Sequence, residues 1–98
     1  MQITKTINGD ALTIAITGRI DTLTAPQLDA EIQGKLDGIK NLTIDLKNVE
    51  YISSAGLRIF LAAQKIMNKQ GSMVVKNVSP AIKEIFEVTG FCDILTIA

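Results

Sequence analysis

The sequence predicts an α/β domain in which a mixed β-sheet, opened by an antiparallel hairpin and continued by right-handed βαβ crossovers, is covered by helices. Three observations carry that expectation. Alternating or β-rich segments and segments of helical period follow one another in the order β-β-α-β-α-β-α-β. Only a tight-turn signal, Asn8-Gly9, separates the first two strands, whereas helix-length stretches separate the later ones. No repeat, low-complexity tract or linker interrupts the 98 residues, which leave room for one domain over 1–98.

Gln2 to Ile7 and Ala11 to Thr17 alternate polar and apolar residues, and Asn8-Gly9 between them suits a type I′ turn because both residues tolerate positive φ. After Gly18-Arg19-Ile20-Asp21, Thr24 is expected as an N-cap, with Pro26 in the first turn and Gln27 completing a capping box. Leu23 and Leu28 would form the hydrophobic staple. Ala25, Leu28, Ile32 and Leu36 then share one helical face, and Gly38 marks the end. Asn41 to Leu46 reads as a short strand and Lys47 to Glu50 as a turn. A second helix is expected from one of the serines at 53 and 54 to about Gln70, stopped by Gly71. Ser72 to Val75 is a further strand. Ser79-Pro80 opens a third helix with Ile82, Ile85 and Phe86, Gly90 closes it, and Ile94 to Ile97 forms a last short strand. In such sheets, ligands and partners are met beyond the carboxyl ends of the parallel strands, where Gly18 to Thr22, Val49 to Ser54 and Asn77 to Ser79 are expected to converge.

Composition narrows the function. Ten Lys and Arg balance ten Asp and Glu, so there is no broad basic field for nucleic acid or an anionic membrane surface. Hydrophobic residues at 47%, charged residues at 20% and a mean hydropathy of +0.29 are too apolar for disorder, and part of that apolar surface is expected to stay unburied. No apolar run approaches the ~18 to 20 residues of a membrane span, and the first ten residues lack the basic-then-apolar pattern of a signal peptide. A cytoplasmic protein without membrane insertion is expected. With one cysteine, Cys92, and no histidine, the chain offers no internal disulfide, no Cys- or His-based metal site and no nucleophilic triad. Glycine-rich phosphate cradles are absent as well. No catalytic residue, metal or other cofactor is therefore assigned.

The most specific feature is the strand-to-helix junction Tyr51-Ile52-Ser53-Ser54-Ala55-Gly56-Leu57-Arg58. Small residues leave the helix's first turn uncovered, with free N–H groups and the positive dipole end open to an anion, and a hydroxyl there is well placed to carry a phosphate. The plainer alternative is that one serine is an N-cap and Gly56 permits close packing on the sheet. A helical wheel groups Ile59, Phe60, Ala63, Ile66 and Met67 as the core face. Leu57 and Leu61 fall on the polar side beside Ser54 and Arg58, either under another helix or as a partner-docking patch.

From first strand to last, the sequence resembles the STAS domain, and particularly the stand-alone bacterial anti-sigma factor antagonists of partner-switching systems. The resemblance rests on Gly18-Arg19-Ile20-Asp21, on Ile44-Asp45-Leu46 followed by Val49-Glu50-Tyr51-Ile52-Ser53-Ser54-Ala55-Gly56-Leu57, and on Val78-Ser79-Pro80-Ala81-Ile82. The family's junction usually reads Asp-Ser-Ser/Thr-Gly-Leu-Gly, with the serine after the aspartate phosphorylated by an anti-sigma serine kinase. Aligned on Gly56-Leu57, that serine is Ser54, with Ser53 a minor alternative; the family's Asp is Ser53 here, its second Ser/Thr is Ala55, and its following Gly is Arg58. Asp21 matches an aspartate on the adjoining loop.

The resemblance implies that the unphosphorylated protein binds an anti-sigma factor serine kinase through Asp21, Ser53, Ser54, Ala55, Gly56, Leu57, Arg58 and Leu61, freeing a sigma factor. Phosphorylation of Ser54 would end the interaction and a serine phosphatase would restore it. Two alternatives belong to other classes: a non-phosphorylated STAS scaffold subunit of a transporter or signalling complex, and a receiver-like enzyme with an acidic pocket of Asp21 and Asp45.

Overall fold

Strands β1 (Gln2–Asn8) and β2 (Ala11–Ile20) form an antiparallel hairpin in a computed structural model that describes Met1 to Ala98. Asn8 pairs with Ala11, so the loop is Gly9-Asp10, one residue later than the sequence suggests. Gly9 has φ +64, whereas Asn77 is the only non-glycine residue at positive φ. The expected type I′ turn on Asn8-Gly9 is therefore replaced by glycine alone at the first loop position, the type II′ pattern.

Strand β3 (Asn41–Ile52) lies parallel to β2, and β4 (Ser72–Lys76) parallel to β3, giving a mixed sheet in the order β1-β2-β3-β4. Leu12, Leu42 and Met73 form one row across the sheet and Ile14, Ile44 and Val75 the next, all buried on one face. Alternation puts Thr13, Ala15, Thr43 and Val74 on the other face, where they are half-buried. The residues expected as a turn, Lys47 to Glu50, are strand. Register shifts between Ala15 and Thr17 and between Gly18 and Arg19 let β3 run twelve residues, with Val49 and Ile52 still inward.

Helices α1 (Ala25–Ile32), α2 (Ser54–Gln70) and α3 (Pro80–Thr89) complete the order β-β-α-β-α-β-α. Leu28, Ile32, Phe60, Met67, Ile82 and Phe86 join the buried strand residues in one core. Helix α1 stops at Ile32, short of the expected end, yet Leu36 and Ile39 remain buried from an irregular loop. The Gln70 side chain pins that loop by donating to the carbonyls of Leu36 (2.5 Å) and Ile39 (2.8 Å). Gly71 follows as expected: a Cβ there would overlap the Lys40 carbonyl, which accepts from Ser72 N at 2.9 Å.

Ser79 caps α3 by accepting from Ile82 N, Pro80 takes the first position, and Gly90 ends the helix at φ +80. The expected strand at Ile94 to Ile97 shrinks to one parallel bridge between Val75 and Ile97. The 3₁₀ turn at Phe91–Asp93 carries on into Ile94 and Leu95, whose amides both donate to Phe91 O, so only the last residues reach the sheet.

Candidate functional site

Strand β3 outruns β4 and, with the end of β2, forms the ledge on which α2 starts. Gly18 pairs with Val49, Arg19 with Tyr51 and Ile20 with Ile52, and Ser53 N then donates to Ile20 O at 2.7 Å. Two of the three expected segments, Gly18 to Thr22 and Val49 to Ser54, are thus neighbours. Asn77 to Ser79 is not with them: the Asn77 amide donates to Asp45 Oδ1 at 3.0 Å, seven residues back from Ile52.

The two serines have different surroundings. Ser53, in extended conformation, is the N-cap of α2, and its Oγ accepts from Gly56 N at 3.3 Å. Ser54 is the first residue of the helix, exposed, with its hydroxyl free of any protein partner. Gly56 is buried against the strand ends. A Cβ built there would stand 2.6 Å from Ile20 Cγ2 and 2.9 Å from Ile52 Cγ1, so only glycine lets the first turn of α2 come this close.

Asp21 lies on the adjoining loop and caps α1. Its Oδ1 accepts from Leu23 N and Thr24 N, both at 3.0 Å, while Thr24 Oγ1 accepts from Asp21 N at 2.9 Å. This reciprocal pair is a capping box, one turn earlier than the box expected from Thr24 and Gln27; Thr24 itself is helical and makes no side-chain cap. The hydrophobic staple is also missing, with Leu23 89% exposed. The Thr24 amide, then the Thr24 hydroxyl, the Leu23 amide and the Arg19 charge hold the Asp21 carboxyl below its ordinary value against the opposing effect of partial burial.

Arg19 and Tyr51 lie outside the expected set of site residues, although they occupy the same ledge. The Arg19 guanidinium lies 4.7 Å from the Tyr51 ring centroid, and its Nε is 4.0 Å from Asp21 Oδ2. Both residues immediately precede a buried isoleucine, which is the signal that they share the outward side.

Helix α2 is rotated from the wheel expectation. Its buried face is Gly56, Leu57, Phe60, Ala63, Gln64 and Met67, whereas Ile66 is 38% exposed and Ile59 half-buried. Leu57, expected on the docking patch, is a core residue at 4% exposure; Leu61 is half-buried. The contact of Gly56 with Ile20 and Ile52 fixes this rotation, and it turns Gln64 inward, where Oε1 has no hydrogen-bond partner. On the outer side, Ala25, Pro26 and Asp29 of α1 face Ala55, Arg58 and Ile59 of α2 across an open groove.

Asp45 is hydrogen-bonded to Asn77 and to Lys47 N, and its carboxyl is held low chiefly by the Asn77 amide. It aligns with Ala15, six residues and roughly 20 Å along β2 from Asp21, so the two aspartates do not form one pocket. No group of three or more Cys, Asp or Glu side chains is placed to hold a metal ion, and no helix is long and apolar enough to cross a membrane.

A profile of the STAS domain matches residues 2–98. The chain belongs to the STAS domain family. Among its STAS relatives is BtrV of Bordetella bronchiseptica, provisionally named an anti-sigma factor antagonist, 37% identical over 91% of this chain and 79% of that protein. The anti-sigma-B factor antagonist of Bacillus subtilis is 34% identical over 93% of this chain and 84% of its own. In three dimensions an anti-sigma factor antagonist from Mycobacterium paratuberculosis superposes with a TM-score of 0.88 at 27% identity, covering 98% of this chain and 83% of that one. The four-stranded mixed sheet with three helices is thus the STAS architecture seen in such proteins.

Proposed function

We propose that this chain is a cytoplasmic anti-sigma factor antagonist that acts by binding and not by catalysis, with an anti-sigma factor serine kinase as partner and Ser54 as phosphoacceptor. One observation carries the choice of residue: Ser54 is exposed and unpartnered at the first position of α2, while the neighbouring Ser53 hydroxyl is committed to the helix cap. In this reading Asp21, Ser53, Ala55, Arg58 and Leu61, each exposed or half-buried, make up the partner-binding face with Ser54, and the buried Gly56 and Leu57 support it from the core side.

Unphosphorylated, the protein holds the kinase and so frees the sigma factor. The kinase then transfers the γ-phosphoryl group of ATP to Ser54 Oγ, which loses its proton as ADP leaves. The new group brings about −1.5 to −2 charges and three acceptor oxygens. A helix N-terminus tolerates such an anion, so the fold stays intact and the interface is lost through repulsion and bulk. A serine phosphatase resets the cycle.

Incubation with an anti-sigma factor kinase and ATP, followed by phosphopeptide mapping, tests the assignment. Phosphate is expected on Ser54 and absent from Ser54→Ala, which should retain the kinase longest in affinity capture. Phosphate on Ser53, or a Ser54→Asp variant that binds the kinase as tightly as wild type, would overturn it.

A further inference from the structure

Arg58 stands where the family's junction usually reads glycine, and it adds a cation one turn along the helix from Ser54. Ser54 and Arg58 are both within α2, four residues apart. Side chains at that spacing leave a helix on one side with Cβ atoms roughly 5–6 Å apart, well within the reach of an arginine. Both residues are exposed. The ion pairs of the molecule are Lys5–Glu31 and Arg19–Asp21, so Arg58 has no carboxylate partner, although Asp29 lines the opposite wall of the α1–α2 groove. Its guanidinium is therefore free to turn.

From this juxtaposition we infer that Arg58 is the intramolecular counter-ion of phosphoserine 54. On modification the guanidinium leaves the groove and hydrogen-bonds the phosphate, forming a charge-assisted pair along the first turn of α2. Phosphorylation then alters the docking surface twice. It adds negative charge at 54, and it withdraws the positive charge that the unmodified protein presents at 58 beside Asp29. A partner carboxylate that had engaged Arg58 loses its receptor at the moment a repelling group appears. This inference rests on Ser54 being the modified residue.

The test is the protonation of the phosphate itself. Full-length protein carrying phosphoserine at 54, installed during translation, is titrated by ³¹P NMR as wild type, Arg58→Gln and Arg58→Lys. The second pKa of the phosphate is expected to be lower in wild type than in Arg58→Gln by about 0.2 to 0.4 of a pH unit, with lysine intermediate. The gap should shrink in molar salt. The other charged or titratable groups near this end of the sheet are Arg19 on β2, Asp21 just after it, Glu50 and Tyr51 on β3, and Asp29 on α1; they are common to all three proteins, so the difference isolates Arg58. Position 58 is exposed, and a matching spectrum of the unmodified variants checks the fold.

Titration curves that coincide within about 0.05 of a pH unit, a gap well below the one expected from such a pair, overturn the inference. If they coincide while phosphorylation still abolishes kinase binding, the counter-ion role fails and the antagonist reading stands. A clear difference with unchanged kinase binding gives the reverse.

Discussion

Replacing Gly56 by alanine tests the packing on which the Ser53-Ser54 junction depends. In an exposed helix the change would stabilise by about 1 kcal/mol, because glycine is a poor helix former. Here the added methyl would stand 2.6 Å from Ile20 Cγ2 and 2.9 Å from Ile52 Cγ1. Ordinary carbon contacts are about 3.5–4.0 Å, so the first turn of α2 must move out by about 1 Å or the isoleucines must shift. Ile20 is 0% and Ile52 2% exposed, which leaves little room for either to move. Overpacking of this kind costs about 1–3 kcal/mol. The balance is a loss of up to about 2 kcal/mol, equivalent to a fall in Tm of up to roughly 15 °C for a domain of this size, in place of the gain of about 1 kcal/mol that an open helix site would show. Urea unfolding followed by circular dichroism reads the change as a lower midpoint at unchanged slope. A Gly56→Ala protein more stable than wild type by about 1 kcal/mol, the gain of an open helix site, would refute the claim that α2 starts in contact with the strand ends.

Other substitutions separate core from surface. Leu57→Ala is expected to cost about 2–5 kcal/mol in the same urea assay, whereas Leu23→Ala should change stability by less than about 0.5 kcal/mol. Asp21→Ala should accelerate hydrogen exchange at the Leu23 and Thr24 amides, while Asp21→Asn, which keeps an acceptor oxygen, should protect them better; equal exchange in both variants would count against the capping box. The carboxyls of Asp21, Glu31 and Asp45 are all held below their ordinary values, Glu31 by its hydrogen bond to Lys5 and that residue's charge. Groups shifted in this direction stabilise the fold above their unfolded-state values and cease to do so as pH falls through the lower folded-state ones. Urea midpoints should therefore hold down to about pH 5 and drop below about pH 4, with a shallower drop in Asp45→Asn. Gly71→Ala should lose the native spectrum altogether, because its methyl would overlap backbone at Lys40.

Much of this was legible in the residues themselves. The order of elements, the Ser79-Pro80 start and Gly90 end of α3, and the extent of α2 from the serines to Gly71 follow from local propensities that the sheet does not override. Where local signals compete, tertiary contact decides. Thr24 and Asp21 are both good caps, and Asp21 takes the role because it lies at the end of β2, where the chain must turn into α1. Lys47 to Glu50 look like a turn, yet pairing with a bulged β2 keeps them in strand and carries Ser54 beyond β4.

The phase of α2 is where the structure departs furthest from the sequence expectation. A wheel weighs the hydrophobicity of each side chain, and it put Ile59 and Ile66 inside and Leu57 outside. The strand ends beneath Gly56 instead set the rotation, burying Leu57 and even the polar Gln64. Sequence by itself determined the order of the main strands and helices and the serine-rich start of α2, because propensity, capping and turn chemistry act over a few neighbours. Which hydroxyl stays free, which leucine is core and which arginine stands unpaired were decided only by the tertiary structure, because each depends on what a distant strand places against the helix.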